Sequence, residues 1–212
     1  MIIANVMTRN PIFVSPDMSV NDARALMTRE KIGKLPVLDK NNRLVGIVTK
    51  KDLVKAGPSA ATSLDMYEIS YLLSKLKVET VMERNVLTVQ QTEVVEEAAR
   101  IMADSQVGCL PVMKGELLVG IITETDLFRT FVDMFGARHD GIRATFQVEE
   151  KPGMIAQVSK AIADANGNIV SLVTFDGDDM SQRRCTVKVT GVERSTFEEI
   201  LRNSTLEIED IR

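Results

Sequence analysis

One eight-residue stretch occurs twice and decides how the chain is divided. GIVTKKDL (residues 46–53) returns as GIITETDL (residues 120–127), with glycine, threonine and aspartate kept and the residues between threonine and aspartate changed in charge. Upstream, IGKLPV (residues 32–37) matches VGCLPV (residues 107–112) after a shift of 75 residues. Similarity at a fixed spacing is the signature of a duplicated structural unit. The sequence therefore predicts two copies of one small fold in its N-terminal part.

The two copies predict the same order of secondary structure. Each opens with a matching segment, VMTRN (residues 6–10) or VMERN (residues 81–85), and closes with a helix that begins near Lys50 or Glu124. Between these lie two short strands and a helix whose apolar residues are spaced as one helix face. The helix residues are Val20, Ala23, Leu26 and Met27 in the first copy, and Val95, Ala98, Ile101 and Met102 in the second. Each copy therefore predicts a β-α-β-β-α unit, and the similar apolar faces predict that the units pack against each other.

A different pattern begins after the second copy. IRATFQV (residues 142–148) alternates apolar and polar residues, which predicts a strand with one buried face. A helix closed by Asn166 and Gly167, two strands, a helix with a capping box of Ser195 and Glu198, and a last strand follow. The order β-α-β-β-α-β is ferredoxin-like. The fold class predicted for the whole chain is α+β.

The predicted boundaries give three domains and one connection. The first copy occupies residues 1–58, the second copy residues 78–136, and the third module residues 141–212. Residues 59–77 join the copies. The composition of GPSAATS (residues 57–63) is typical of a linker, and the segment that follows it has helical apolar spacing.

Composition argues against two classes of partner. The formal net charge is -4, aromatic residues make up 4% of the chain and Trp is absent, so the sequence lacks the basic surface and stacking rings of nucleic-acid binders. No apolar run is long enough to span a membrane, and the opening residues turn polar at once. We therefore expect a soluble, cytoplasmic protein with no nucleic acid and no membrane among its partners.

Few residues are suited to catalysis or metal binding. Cys109 and Cys185 lie far apart without CxxC spacing, and His139 is the single histidine. A zinc site or a Ser-His-Asp set therefore has no support. Asp52, Asp126, Cys109 and His139 form no recognisable pair of nucleophile and base in the sequence. We expect no catalytic residue, no metal and no catalytic cofactor.

The repeated Thr-x-x-Asp motif has two compatible interpretations. In the structural one, Thr49 or Thr123 caps the closing helix, and Asp52 or Asp126 bonds back to the cap amide. In the functional one, the helix start offers free amides to a phosphate, and the aspartate accepts hydrogen bonds from two ribose hydroxyls. The glycine inside each preceding strand indicates close approach of either protein atoms or a ligand.

The opening VM segments, the IGKLPV and VGCLPV pair and the closing stretches resemble two cystathionine-β-synthase (CBS) domains in tandem, over roughly residues 4–135. The resemblance implies a pseudo-twofold unit whose cleft binds an adenosine-containing ligand such as AMP, ATP, NAD or S-adenosylmethionine. It also implies that Asp52 and Asp126 bind the ribose and that Thr49 and Thr123 lie near the ribose or phosphate. Aliphatic residues then form the adenine walls: Ile12, Leu35 and Pro36 in one copy, and Leu87, Leu110 and Pro111 in the other.

The residues around the two motifs differ in charge. Lys34, Lys50 and Lys51 flank the first motif, and the matching positions in the second copy are Cys109, Glu124 and Thr125. Charge-assisted hydrogen bonds to phosphate are stronger than neutral ones. We therefore expect phosphate-bearing ligands to prefer the first motif, with solvated surface lysines as the alternative.

The third module resembles an ACT domain, an amino-acid-sensing module, through KPG at its first strand-to-helix turn and GNIVS at the start of its second strand. Glu150 departs from the usual D-x-P-G pattern. The resemblance implies an amino-acid ligand at a dimer interface, where Pro152, Gly153, Met154 and Ile155 face Asn168 and Ile169 of the partner subunit. Many ACT domains only dimerise, so both possibilities stay open.

Tandem CBS domains followed by an ACT domain resemble the acetoin-utilisation protein (AcuB) group. The resemblance implies a non-enzymatic regulatory homodimer that senses an adenosine ligand, with or without an amino acid at the ACT module. A ligand-free dimerisation scaffold and an enzyme remain as alternatives. The sequence identifies neither the ligand nor a downstream protein partner.

Overall fold

The computed structural model describes residues 1–56, 65–177 and 179–212. The described chain divides into two compact units, Met1–Leu127 and Phe128–Arg212. The first unit contains the first predicted repeat and the second one up to Leu127, and strands of the two repeats pair with each other. The predicted linker at residues 57–63 lies outside the described residues.

The first repeat follows the predicted β-α-β-β-α order. Its elements are β1 (Thr8–Arg9), α1 (Val20–Arg29), β2 (Lys34–Leu38), β3 (Leu44–Thr49) and α2 (Lys50–Lys55), and α3 (Met66–Lys75) follows. Ser19 caps α1 by accepting a hydrogen bond from the Asp22 amide, and Asp65 caps α3 in a capping box with Glu68. These caps satisfy amides that have no partner inside the helix.

The second repeat has the same order. Its elements are β4 (Val89–Gln90), α4 (Val95–Ser105), β5 (Cys109–Lys114), β6 (Leu117–Thr123) and α5 (Glu124–Met134), of which α5 continues into the second unit. Gln106 ends α4 in the left-handed conformation, with φ of 55°.

The two repeats exchange their opening segments. In the four-stranded sheet β1-β6-β5-β4, β1 of the first repeat pairs antiparallel with β6 of the second. Reciprocally, Glu83 at the start of the second repeat pairs with Ile47 of β3, whose other edge pairs with β2. Because backbone hydrogen bonds cross in both directions, the repeats form one unit rather than two independent ones.

Each repeat nevertheless has its own apolar core. Buried side chains of α1 pack on β2 and β3 in the first repeat, and buried side chains of α4 pack on β5 and β6 in the second. A third, smaller cluster joins the repeats and contains Ile47, Cys109 and Ile121, with Val86 packed against it. The repeats therefore contact each other at this cluster, whereas the apolar helix faces that were predicted to meet are buried within their own repeats.

The second unit has the predicted ferredoxin-like order. Its elements are β7 (Ile142–Glu149), α6 (Met154–Asp164), β8 (Asn168–Asp176), β9 (Gln182–Thr190), α7 (Arg194–Ser204) and β10 (Glu207–Ile211). The antiparallel sheet has the order β10-β7-β9-β8, and α6 and α7 bury Val158, Ile162, Phe197 and Leu201 in its core.

The two predicted caps in this unit have different outcomes. Asn166 has φ of 60° after the end of α6, so the left-handed turn is confirmed. The capping box of Ser195 and Glu198 is wrong, because α7 begins at Arg194 and its N-cap is Glu193, with no side-chain cap hydrogen bond. The helix begins two residues earlier than predicted, which places Ser195 inside the first turn.

No helix among the described residues is long and apolar enough to cross a membrane.

Candidate functional site

The first Thr-x-x-Asp motif joins β3 to α2 as a capping box. The amide and Oγ1 of Thr49 donate to Oδ2 of Asp52 over 2.9 and 2.6 Å, and the Asp52 amide donates to Thr49 Oγ1 over 3.3 Å. Both threonine donors use the same carboxylate oxygen, so Oδ1 of Asp52 takes no part in the box. The structural interpretation of this motif is confirmed.

The second motif repeats this geometry between β6 and α5. The amide and Oγ1 of Thr123 donate to Oδ2 of Asp126 over 2.9 and 2.7 Å. The surroundings differ, because Asp126 is 7% exposed whereas Asp52 is only partly buried. Each motif thus fixes a carboxylate at the start of a helix, which is a suitable acceptor for ligand hydroxyl groups.

The repeated glycines are explained by packing between the repeats. A Cβ atom on Gly46 would lie 2.5 Å from Sδ of Met82 and 3.1 Å from the Glu83 carbonyl oxygen. A Cβ atom on Gly120 would meet Sδ of Met7 in the same way. Each methionine comes from the VM segment of the opposite repeat, so glycine is needed where the exchanged segment crosses the strand.

The exchange also decides where the predicted adenine walls lie. After β1 has paired with β6, the chain returns to its own repeat, where Val14 pairs with Val37. Ile12 lies on this crossing and is 39% exposed. Leu87 lies on the equivalent crossing between Glu83 and β4 and is 45% exposed. The structure thus places Ile12 and Leu87 on the crossings between the repeats, and their contact with an adenine stays a prediction.

Two of the predicted wall residues lie in the cores instead. Leu35 and Leu110 have no exposed surface and pack within the cores of the first and second repeat, respectively. Pro36 and Pro111 are also buried, but they pair in register with Ile47 and Ile121 of the cluster that joins the repeats. Since neighbouring strand residues point to opposite faces, the prolines lie on the face between the repeats and the leucines lie on the core face.

The predicted position of Lys34 requires a correction. Its Nζ donates to the carbonyl oxygen of Gly108, in the second repeat. That carbonyl also accepts a hydrogen bond from the Glu124 amide at the start of α5, over 3.3 Å. The charged end of Lys34 therefore lies beside the second motif, although its backbone pairs with Thr49 of the first. A long side chain at the pseudo-twofold axis crosses to the other repeat, which sequence position does not reveal.

The other two lysines are exposed. Lys50 lines a groove of about 110 Å³ between α1 and α2, together with Arg24 and Met27, and neither Thr49 nor Asp52 lines this groove. Lys51 follows Lys50 in the first turn of α2 and is exposed. Of the three lysines that flank the first motif in sequence, the structure thus places one at the opposite motif and one in a separate groove.

Cys109 occupies the position in the second repeat that Lys34 has in the first. Burial raises the pKa of the Cys109 thiol to about 11, opposed by the positive charge of Lys34 and assisted by the negative charge of Glu124. Such a thiol stays protonated at neutral pH and packs as a small apolar group. Within residues 1–56, 65–177 and 179–212, no group of three or more His, Cys, Asp or Glu side chains is placed to hold a metal ion.

The residues predicted to bind an amino acid surround the first turn of α6. Gly153 has φ of 93° and is the N-cap, which explains glycine at this turn. Pro152 is exposed, Met154 packs against the core, and Ile155 is 38% exposed. Ile155 and Ile169 line an apolar crevice of about 10 Å³, and Asn168 is exposed at the start of β8. The crevice within one subunit has room for roughly one water molecule, so an amino acid needs a wider site.

Sequence reasoning missed three residues that shape the region between the repeats. Met7 and Met82 contact the strand glycines, and Val86 packs beside Ile47 in the cluster between the repeats. The repeated VM dipeptide contains both methionines, but the sequence pattern predicts only that it belongs to an opening strand. The pairing of that strand with the other repeat could not be deduced from the pattern alone.

Comparisons with known proteins match both units. Residues 3–59 and 78–133 match the CBS domain model, and residues 140–212 match the model of the TTHA0829-like ACT domain. A protein of unknown activity from Methanocaldococcus jannaschii, MJ1404, is 30% identical over 135 residues, which is 62% of this chain and 32% of that protein. The chain thus spans about a third of the length of this relative.

Solved structures resemble the repeat unit. A protein described as an acetoin utilization protein (AcuB), from Vibrio cholerae, has a TM-score of 0.54 and 30% identity, covering 65% of this chain and 95% of that one. The CBS domain pair of protein MJ0100, in complex with 5′-methylthioadenosine and S-adenosyl-L-methionine, has a TM-score of 0.53 and 26% identity, covering 66% and 98%. CBSX2 in complex with AMP has a TM-score of 0.50 and 33% identity, covering 62% and 96%.

Proposed function

The chain belongs to the CBS-domain family, and from that premise we propose that it is a regulatory protein whose repeat unit binds adenosine-containing ligands. Asp52 and Asp126 bind the ribose hydroxyls, while Thr49 and Thr123 hold these carboxylates in place. AMP, ATP, NAD, S-adenosylmethionine and 5′-methylthioadenosine are the ligands to test.

The observation that carries this proposal is the duplicated arrangement of threonine and aspartate. In both repeats the threonine amide and hydroxyl donate to one carboxylate oxygen, Oδ2, with nearly equal distances. A carboxylate fixed in this way loses little conformational freedom when it also accepts a ligand hydroxyl. The half-exposed Ile12 and Leu87 supply aliphatic surface for the adenine at the two crossings between the repeats.

The structural neighbours support the choice of ligand class. Two of the CBS pairs that resemble this unit were solved with adenosine derivatives, one with AMP and one with 5′-methylthioadenosine and S-adenosyl-L-methionine. At 33% and 26% identity, both share the fold of the first unit. The same ligand class is therefore the first to test here.

For the second unit we infer a role in assembly. β8 is an outer strand of the sheet, and its exposed Leu172 and Phe175 lie next to an unpaired backbone edge. Pairing with a second copy covers such an edge. The narrow crevice beside Ile155 and Ile169 takes an amino acid only if the partner subunit completes the site. The mass of the intact assembly under native conditions tests the dimer.

Both cysteines are free and buried, which supports the assignment to the reducing cytoplasm. The proposal includes no catalytic step, no catalytic cofactor and no downstream protein partner of stated identity.

Ligand-dependent thermal unfolding tests the proposal against the scaffold alternative. At 100 times its dissociation constant, a ligand that binds only the folded state stabilises it by about 2.7 kcal/mol. We expect at least one of the five ligands to raise the unfolding temperature at millimolar concentration, and the double variant Asp52→Ala, Asp126→Ala to abolish the rise. Unchanged unfolding with all five ligands would leave the scaffold as the better interpretation, and turnover of a bound nucleotide would show an enzyme.

A further inference from the structure

Two opposite charges, one from each repeat, lie around Gly108 at the start of α5. A Cβ atom built on Gly108 would lie 2.7 Å from Oε2 of Glu124 and 3.0 Å from Nζ of Lys34. The Lys34 ammonium also donates to the Gly108 carbonyl, which holds it in place. Glycine at position 108 leaves the space that both charged groups occupy.

This pair lies beside the second Thr-x-x-Asp motif. Glu124 directly follows Thr123, and Cys109, which follows Gly108, pairs with Thr123 in the ladder of β5 and β6. Around Cys109, the positive charge of Lys34 lowers the pKa of the thiol and the negative charge of Glu124 raises it, in keeping with the positions of both groups around Gly108. If Asp126 binds the ribose of a ligand, both charges lie close enough to that ligand to act on it electrostatically.

The first motif has no such pair at the equivalent positions. Lys50 stands where the second repeat has Glu124, and Gly33 stands where it has Gly108. A Cβ atom on Gly33 would have no other atom within 4 Å, so the space around it is open. The ammonium of Lys34 lies at the second motif, whereas Cys109, the matching residue of the second repeat, supplies no charge to the first motif.

We propose that Lys34 and Glu124 determine ligand choice at the second motif, so that this site prefers an adenosine ligand without a phosphate. The proposal rests on the proposed function, because it assigns the class of ligand to one of the two sites. Glu124 repels a 5′-phosphate and lies near the Lys34 ammonium, so its negative charge offsets the attraction of Lys34 for an anionic ligand. A neutral 5′-thioether, as in 5′-methylthioadenosine, meets no such repulsion.

Calorimetric titration of the full chain tests this inference. The Asp52→Ala background removes ribose binding at the first motif, and the Asp52→Ala, Asp126→Ala variant gives the signal without either site. In the Asp52→Ala background we expect 5′-methylthioadenosine to bind more tightly than AMP. Glu124→Gln should tighten the binding of AMP by about five- to tenfold, because it removes a negative charge that repels the phosphate. The same substitution should change the binding of 5′-methylthioadenosine by less than about twofold.

Two further variants serve as controls for the effect of Glu124→Gln. Lys50→Gln alters the residue that matches Glu124 in the first repeat and should leave the ratio of the two affinities unchanged. Lys34→Met should weaken the binding of AMP by about fivefold, which is opposite in direction to the effect of Glu124→Gln. Because a general loss of folding would weaken binding in both variants, it cannot produce this pair of results.

Each remaining outcome is informative. An affinity ratio that stays within twofold after Glu124→Gln would overturn the inference and leave the proposed function intact. Binding by the wild-type chain that disappears completely in the Asp52→Ala background would show that the second motif is not a site, which also overturns it. Failure of the wild-type chain to bind either probe or any other adenosine ligand would overturn the proposed function itself.

Discussion

The two repeats of the first unit have the same backbone and different charges. Their helix starts agree to within 0.1 Å in the hydrogen bonds from threonine to aspartate, and each strand glycine faces a methionine of the opposite repeat. The residues between threonine and aspartate are two lysines in the first repeat and glutamate and threonine in the second. Packing therefore restrains the shape of both sites, whereas the charges on the surface around them differ.

This difference in charge shows how a duplicated fold can have two sites with different properties. A buried leucine or a strand glycine cannot change without loss of stability, because neighbouring atoms fill the space around it. An exposed lysine or glutamate can change at little cost in stability. We infer that the two Thr-x-x-Asp motifs have one common geometry and separate ligand preferences.

The largest expected effect concerns the cores, where the repeats should respond alike. Leu35→Ala and Leu110→Ala should each lower the free energy of unfolding by about 2–5 kcal/mol, because both leucines are fully buried. Ile12→Ala and Leu87→Ala should cost about 1 kcal/mol or less, because both side chains are substantially exposed. Urea denaturation of the four variants measures these values.

The two exposed residues, Ile12 and Leu87, should matter for ligand binding more than for stability. If they form the adenine walls, Ile12→Ala and Leu87→Ala weaken the binding of the ligand. A large loss of stability from Ile12→Ala or Leu87→Ala, with small losses from the two buried leucines, would break the assignment of wall and core.

A smaller effect should appear at the strand glycines. Gly46→Ala and Gly120→Ala each bring a Cβ atom into a methionine of the other repeat and close to a backbone carbonyl, at 3.1 Å. We expect each to destabilise the unit by about 1–3 kcal/mol, with similar values for the two repeats. Gly33→Ala is the matched control, since no other atom lies within 4 Å of its Cβ position. Thermal unfolding that shows Gly33→Ala as harmful as Gly46→Ala would contradict the packing explanation.

Much of the fold could be predicted from local patterns. The spacing of apolar residues gave the helices, and the repeated stretches gave the β-α-β-β-α order in each copy. The spacing of Ser195 and Glu198 predicts a helix start two residues later than the observed one, because the N-cap of α7 is Glu193. Since Glu193 makes no side-chain cap hydrogen bond, the start of α7 is not set by a capping side chain.

The candidate site was less predictable, because it depends on contacts between distant segments. The exchange of opening segments pairs Thr8 with Ile121, which are more than a hundred residues apart. Lys34 was grouped with the nearest motif in sequence, whereas its ammonium contacts Gly108 of the other repeat. Leu35 and Pro36 were grouped together, although adjacent strand residues face opposite sides. Sequence spacing identified the aspartates and threonines, whereas contacts between distant segments determine which apolar residues and charges surround them.

Native mass spectrometry of the full chain tests the central idea most directly, because it counts ligands and subunits together. With saturating 5′-methylthioadenosine, we expect a dimer that carries two ligands per subunit, one ligand per subunit after Asp52→Ala or Asp126→Ala, and none after both substitutions. The same count of ligands in the wild type and the double variant would contradict ribose binding by the two aspartates, and a monomer at micromolar concentration would contradict pairing through the second unit.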